Sequence, residues 1–481
     1  MKLTEMNHKI WHFFNEILAI PRASKHEEQI RQYIVDFAEK RHLSYQIDAI
    51  GNVVVRKPAA KGKEHLPIVI LQSHMDMVCE KNADVQHDFS RDGIQHYIDG
   101  DWLKAQGTTL GADNGIGVAI ELYLLDSEKS FGELECLFTV DEETGLTGAS
   151  NIAKNLLKGK RMINLDSEDI DEIFIGSAGG VDTIASIEIE KEQPSKPYFF
   201  FQASVLGLLG GHSGDDINKG RANANLLLFN YLKELREACG DVRIITIDGG
   251  NLRNAIPREA TILCAVPFAA KETARVILNC FIAEMEESEC KLEKGFEMTL
   301  GSESSLDYIT SKTFSDNLIN AICNCPNGVI SMSKDFENLV QTSTNLASIK
   351  IKGDKVVIST SQRSSLDVEK EEISTKVARN FIDKGFGVKH ENNYSGWYPN
   401  IHSKLLEDAI EAFKETQGKN PRVRSIHAGL ECGLFIEKYP DLDIISVGPT
   451  ILNVHSPQEQ LSISSVENFL RFLERILNKE C

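Results

Sequence analysis

Positive charge is scarce in this chain: 52 lysines and arginines stand against 71 aspartates and glutamates, a formal net charge of −19. Such a surface repels nucleic-acid phosphates unless a local basic patch intervenes. The lysines and arginines are scattered among acids, so no nucleic-acid partner is expected. Long apolar runs are missing as well. The stretch 10–20 is interrupted by His12, Asn15 and Glu16 and follows no basic segment, so it does not read as a signal peptide. The stretch 198–209 is broken by Gln202, Ser204 and Gly207 and is too short to span a bilayer. No membrane association and a cytoplasmic location are therefore expected. The ten cysteines include no Cys-x-x-Cys pair, and Cys323-Asn324-Cys325 is too tight for a zinc knuckle. A chain this long has core enough without a disulfide framework, so reduced thiols are expected.

What is present is an ordinary globular composition, 42% hydrophobic and 26% charged, in 481 residues. That length exceeds one core and implies two domains. Ser24-x-x-Glu27 reads as a capping box opening a helix to about residue 41, preceded by another helix from about residue 4. Strand-like runs at 52–56, 67–72, 134–140 and 162–165 alternate with a buried helix over 117–125 and another from about 148. This alternation implies a mostly parallel sheet covered by helices, an α/β architecture. From about residue 181 the pattern changes to strands with fewer helices, which suggests an α+β domain with an antiparallel sheet. A final strand–helix portion from about 402 carries His427 and His455. The expected division is 1–186 plus 397–481 as one domain, with 187–396 inserted as a second.

The candidate chemistry gathers just past the ends of hydrophobic segments. His74-Met75-Asp76 follows the run 67–72, Glu142 and Glu143 follow Val140, and Asp166 follows Leu165. Gly111-Ala112-Asp113-Asn114 and Asn453-Val454-His455 add a further carboxylate and imidazole. In parallel sheets ligands collect outside the carboxyl ends of the strands. Two imidazoles with several carboxylates suit a pair of divalent cations sharing one carboxylate, a water-activating hydrolytic site. Spacing alone does not pair the ligands. Adjacent Glu142 and Glu143 cannot point the same way, so one can bind metal while the other faces the water as general base. Asp76, two residues beyond His74, can accept the second imidazole proton and orient the ring.

These motifs, together with Gly107-Thr108-Thr109-Leu110-Gly111-Ala112-Asp113-Asn114-Gly115, Gly210-Gly211-His212-Ser213-Gly214, Asn251-Leu252-Arg253-Asn254 and His427-Ala428-Gly429-Leu430-Glu431, resemble the M20 family of metallopeptidases. Within it they resemble the aminoacyl-histidine dipeptidase branch, and the likeness covers essentially the whole chain. The resemblance implies a di-metal catalytic domain (phosphorylase/hydrolase-like) with an inserted α+β lid that also mediates homodimer formation. It implies two divalent ions per subunit, zinc with cobalt or manganese as alternatives. His74 and Asp166 would bind one and Glu143 and His455 the other, with Asp113 bridging. Glu142 corresponds to the general base, Asp76 to the residue orienting His74, and the peptide Asp113–Asn114 to a cis bond. His212 corresponds to a lid histidine holding the scissile carbonyl oxygen. Asn254 and Arg363 correspond to positions holding the substrate backbone and carboxylate, and Glu431 is the candidate for the substrate's free amine. The implied activity is hydrolysis of dipeptides with a free N-terminus, Xaa-His dipeptides such as carnosine among them. Two alternatives stay open: deacylation of N-acyl amino acids with the same metals, and a non-catalytic metal-binding role.

Overall fold

A computed structural model of the chain describes residues 3–6, 8–334, 336 and 338–479. Cys481 lies outside them. The chain divides into two compact units, Met1–Ser177 with Trp397–Ser425 and Leu430–Cys481, and Ala178–Gly396 with Ile426–Gly429.

The first unit is built on an eight-stranded sheet whose centre is parallel. Strand Val69–His74 lies between Leu134–Thr139 and Arg161–Asn164, parallel to both. Strands Val69–His74 and Leu134–Thr139 are buried along their whole length and Arg161–Asn164 beyond its first residue, as in a sheet covered on both faces. The C-terminal part of the chain enters this sheet as Asp443–Ser446, parallel to Arg161–Asn164 with Ser446 opposite Asn164. A smaller sheet pairs Gln460–Ser462 with Trp102–Ala105 and with Ile451–Leu452. The loop between Leu452 and Gln460 therefore carries His455 on a hairpin anchored to the N-terminal part of the chain. Helix Ala112–Asp126 is apolar all round and packs beneath the sheet centre.

The capping box expected at Ser24–Glu27 does not form. The helix begins at Glu28 without a side-chain cap. Ser24 Oγ instead donates to Asp76 Oδ2 at 2.8 Å, and Glu27 Oε1 accepts from the N–H groups of Lys25 and Asp141. Partners far along the chain outcompete the local cap, because Asp76 and Asp141 sit in loops with polar groups that must be satisfied in a buried place. The chain's first helix starts at Ile10, after a 3-10 turn at Leu3–Glu5.

The second unit holds an antiparallel sheet in the order Glu297–Ser302, Tyr198–Leu206, Ala260–Pro267, Arg243–Gly249, Val340–Lys352, Lys355–Ser364, Gly179–Glu188, Gly387–Tyr394, with Gly328–Met332 paired beside Val340–Lys352. Alternation along Tyr198–Leu206 sends Phe199, Phe201, Ala203 and Val205 into the main core. Tyr198 and Phe200 face the opposite side, in a small cluster with Ile245, Ala265 and Ile309. Helices Ala224–Cys239, Lys271–Glu287, Lys312–Cys323 and Asp367–Ile382 supply the rest of that core. The division between units falls after Ser177, not after residue 186. Strand Gly179–Glu188 hydrogen-bonds along its length to Lys355–Ser364 and so belongs to the second sheet. Residues 426–429 join it too, through bonds from Ala178 N–H to the carbonyls of Ile426 and Ala428.

No helix among the described residues is long and apolar enough to cross a membrane.

Candidate metal centre

His74 is the last residue of the central strand, and its ring is 1% exposed. Its Nε2 lies 3.1 Å from Asp113 Oδ1 and 3.3 Å from Asp166 Oδ1. The other oxygen of Asp113 lies 3.2 Å from His455 Nε2, which is itself 3.1 Å from Glu143 Oε2. Asp113 thus stands between the two imidazoles, presenting one oxygen to each. The ligand atoms of His74, Asp113 and Asp166 lie within 4.8 Å of one another, as do those of Asp113, Glu143 and His455. A third such group, His74, Glu142 and Glu143, overlaps them.

This donor set fits two divalent cations. With nitrogen and oxygen ligands at about 2.0–2.1 Å, neighbouring vertices of a tetrahedral site are about 3.4 Å apart, close to the 3.1–3.3 Å separations found in each trio. Three carboxylates and two neutral imidazoles are the hard-to-borderline donors such ions take. Glu143 Oε1 is buried without a hydrogen-bond partner, a cost that a cation would remove.

Local structure holds each residue in place. The second nitrogen of His74 lies 3.2 Å from the backbone carbonyl of Asp76 and 3.3 Å from its Oδ1. Asp76 also accepts from the N–H groups of Glu142 at 3.1 Å and Glu143 at 3.2 Å. One buried carboxylate therefore orients an imidazole and the backbone of the loop after strand Leu134–Thr139. That loop turns sharply: Asp141 and Leu146 take left-handed φ values of 50° and 51°. Asp141 holds the turn by accepting from the hydroxyls of Thr144 and Thr147. His455 and Asn453 are left-handed as well, at φ 60° and 57°. Backbone outliers of this kind gather at sites where geometry is over-determined. The peptide Asp113–Asn114 is cis, and the Asn114 amide donates to the carbonyl of Leu165 at 2.9 Å and to Asp166 Oδ1.

The electrostatics are those of crowded acids. Burial alone would lower the pKa of His74, but Asp166, Asp113 and Asp76 raise it well above the ordinary value. Hydrogen bonds to Asp113 and Glu143 lift His455 to about 11. Burial opposes ionisation of Asp113, yet the two imidazoles hold its carboxyl far below the usual range. Burial raises Glu142 well above the carboxylate range, with His74 opposing and Asp166, Glu143 and Glu431 adding.

Glu431 opens helix Glu431–Lys438 and is fully buried. Its Oε2 accepts from Gln72 Nε2 at 2.6 Å and Thr139 Oγ1 at 2.9 Å, and its Oε1 is without a partner. Burial pushes its carboxyl up to about 8. The residues that bind it, Gln72 and Thr139, sit on central strands and carried no signal in the sequence beyond being polar in apolar runs.

The second unit gathers the remaining candidates. His212 lies in the short strand Gly211–His212, paired with Ala255–Ile256. Its Nδ1 faces the N–H groups of Gly214 and Asp215 and lies 3.4 Å from Asp215 Oδ2. Ser213 N–H donates to the carbonyl of Asn254 at 2.8 Å, which ties that exposed loop residue to the His212 turn. Arg363 is buried in strand Lys355–Ser364. Its Nη1 donates to Tyr394 Oη at 3.2 Å, and its Nε has no partner. His427 Nε2 lies 2.7 Å from the hydroxyl of Ser343, the residue directly opposite Arg363 in the sheet. Burial, with Arg363 adding, pushes His427 down to about 3, so the ring is neutral. A Cβ at Gly214 would meet the carbonyl oxygen of His427 at 2.1 Å, so only glycine lets the His212 turn pack there. Ser343, Tyr394 and Asp215 were not legible as site residues. Ser343 lies in the polar strand Val340–Lys352, whose Ser/Thr-rich sequence carries little strand pattern.

Comparison with known proteins shows the family. Residues 70–479 match the model of peptidase family M20/M25/M40. The chain is 38% identical over 473 residues to the cytosol non-specific dipeptidase of Escherichia coli K12, covering 98% of this chain and 97% of that one. It superposes on the aminoacylhistidine dipeptidase of Vibrio alginolyticus with a TM-score of 0.89 and 37% identity, over 99% of this chain and 98% of that one. The aminopeptidase PepT of Bacillus cereus shares the fold, with a TM-score of 0.57 at 16% identity over 98% of this chain and 97% of that one. With a parallel-centred α/β unit, an antiparallel α+β unit and a match across most of its length, the chain belongs to the M20/M25/M40 family of peptidases, and it is a hydrolytic enzyme.

Proposed function

We propose that the chain hydrolyses dipeptides with a free N-terminus, Xaa-His dipeptides such as carnosine among them, and does so in the cytoplasm. The observation that carries this reading is the single carboxylate of Asp113 held between His74 and His455, each heading its own trio of ligands. His74 and Asp166 would hold one divalent ion, Glu143 and His455 the other, with Asp113 shared. We take the ions to be zinc, which cobalt or manganese can replace. Bound there, two such ions polarise a carbonyl and make water a better acid.

The remaining work falls to side chains. Glu142, its backbone pinned by Asp76, takes the proton from the attacking water on its carboxylate and returns it to the leaving amine. Asp76 keeps His74 in one tautomer and one orientation. The unpartnered Oε1 of Glu431 is the acceptor we assign to the substrate ammonium. The second unit is read as the lid and as the homodimer contact. His212 donates to the developing oxyanion. Arg363 receives the substrate carboxylate through paired guanidinium hydrogen bonds, and Asn254 the substrate backbone.

The relatives named above support dipeptide hydrolysis and differ in specificity, one non-specific and one aminoacyl-histidine-directed. A panel on metal-reconstituted protein tests the reading: carnosine, other Xaa-His dipeptides, dipeptides lacking histidine, and N-acetyl amino acids. Turnover of dipeptides with Xaa-His substrates preferred is the expected result. Equal rates on all dipeptides would remove the histidine preference, and turnover confined to N-acetyl amino acids would replace the reading with deacylation.

A further inference from the structure

Two buried, oppositely charged side chains outside the ligand set clamp the loop that carries Asp113. Arg22 is 2% exposed, and its guanidinium donates to the backbone carbonyls of Met75 at 3.0 Å, Asp76 at 2.7 Å, and Gly111. It joins the loop after His74 to the loop before Asp113. The guanidinium fits only because two glycines make room for it. A Cβ at Gly111 would lie 2.5 Å from Arg22 Nη2, and one at Gly115 would lie 2.6 Å from it. The spacing of those two glycines is thereby explained by a side chain some ninety positions earlier.

Glu459 is also 2% exposed. Its Oε2 accepts from the N–H groups of Leu110 at 2.7 Å and Gly111 at 2.9 Å. Its Oε1 accepts from those of Ala112 at 2.8 Å and Asp113 at 3.3 Å. Four consecutive backbone donors, leading through the non-helical residue Asp113 into the helix that ends at Asp126, thus converge on one carboxylate, which satisfies amides that would otherwise be buried unpaired. Glu459 lies four residues after His455, on the same hairpin loop. It therefore ties the His455 loop to the Asp113 loop, as Arg22 ties the His74 loop to it.

We propose that Arg22 and Glu459 are positioning residues that set the reach from the Asp113 carboxylate to His74 on one side and His455 on the other, and with it the spacing of the two ions. The inference rests on the two-metal reading above. Without Glu459 the Asp113 backbone is free to drift from His455; without Arg22 the His74 and Asp113 loops lose their common anchor. Both side chains spend their hydrogen bonds on backbone groups, so the effect is on how well two ions are held together and on kcat, with KM little changed.

The test uses the full-length protein reconstituted with manganese, in wild-type form and as Glu459→Gln and Arg22→Lys. Glu459→Gln keeps the shape but turns an amide N–H₂ toward backbone donors. Arg22→Lys keeps the charge and part of the carbonyl binding. Titration calorimetry counts the ions and their affinities, electron paramagnetic resonance reads the magnetic coupling of a dimanganese pair, and circular dichroism with urea unfolding checks the fold. Expected are two coupled ions in the wild type. In folded Glu459→Gln, affinity for the second ion falls at least about tenfold, coupling is lost or altered, and kcat drops at constant KM; Arg22→Lys shows the same changes in smaller measure. Folded variants that bind two ions with wild-type affinity and coupling would overturn the proposal. Collapse of the fold in both would overturn it too, by making their role structural. A wild type that binds fewer than two ions fails at an earlier point, the two-metal reading itself, and takes the inference with it.

Discussion

Around His74 the carboxylate of Asp76 is shared among Ser24, two backbone amides and an imidazole, and the buried atoms of the candidate ligands and Glu431 left over are carboxylate oxygens, Glu143 Oε1 and Glu431 Oε1. Around His212 in the second unit the buried atoms left over include the Nε of Arg363 and the hydroxyl of Ser213. The leftover atoms of the candidate ligands and Glu431 are acceptors, whereas the leftover Nε of Arg363 is a donor. Orphaned buried groups cost free energy, so each marks a place where something else completes the structure. The free oxygens of Glu143 and Glu431 can accept from a cation or an ammonium, and the free Nε of Arg363 can donate to an anion.

The largest way to break this comparison is Glu142→Ala, which should leave metal content intact and lower kcat by about 10²–10⁴-fold, the range for loss of a general base. Turnover close to wild type at full metal loading would remove Glu142 from that role. Next, Asp76→Asn keeps the size but not the charge that faces His74. Metal affinity measured by calorimetry should fall by about 10–100-fold; an unchanged affinity would mean that His74 needs no such partner. On the other side of the comparison, Arg363→Lys removes the planar fork. It should raise KM for dipeptides by about tenfold, the equivalent of about 1.4 kcal/mol, with metal binding unaltered. A change in metal affinity instead would contradict the separation of roles.

A measurement of stability rather than activity sharpens the second unit alone. His427 is neutral because its folded pKa, about 3, lies below the ordinary 6.5. Between these values the unfolded chain binds a proton that the folded chain does not. The stability contribution is therefore complete above pH 6.5 and is lost as pH falls toward 3. His427→Gln should flatten the acid side of the stability curve by up to about 1.4 kcal/mol per pH unit in that window. Urea unfolding at stepped pH measures it, and parallel curves for the two proteins would contradict a neutral buried ring.

Parts of this were legible beforehand because their causes are local. The runs 67–72 and 134–140 are apolar without alternation, and that alone marks central strands. Histidine and carboxylates just beyond such runs had to project at the carboxyl edge of the sheet. The Ser24–Glu27 pair misled because a capping box is only the best local use of those side chains, and distant loops offered them a better one. The strand Val340–Lys352 and its partner role for Arg363 were hidden because a Ser/Thr-rich strand owes its place to its neighbours rather than to its own pattern.

By itself the sequence determined which chemical groups are available and that they cluster at strand ends, since periodicity and residue type act over a few positions. It did not determine that Asp113 would present one oxygen to His74 and the other to His455. Nor did it show that Arg22 and Glu459 would meet at the same backbone loop. Those contacts join residues separated by up to several hundred positions, and only the closing of the sheet by Asp443–Ser446, with the hairpin that follows, brings them within hydrogen-bond reach.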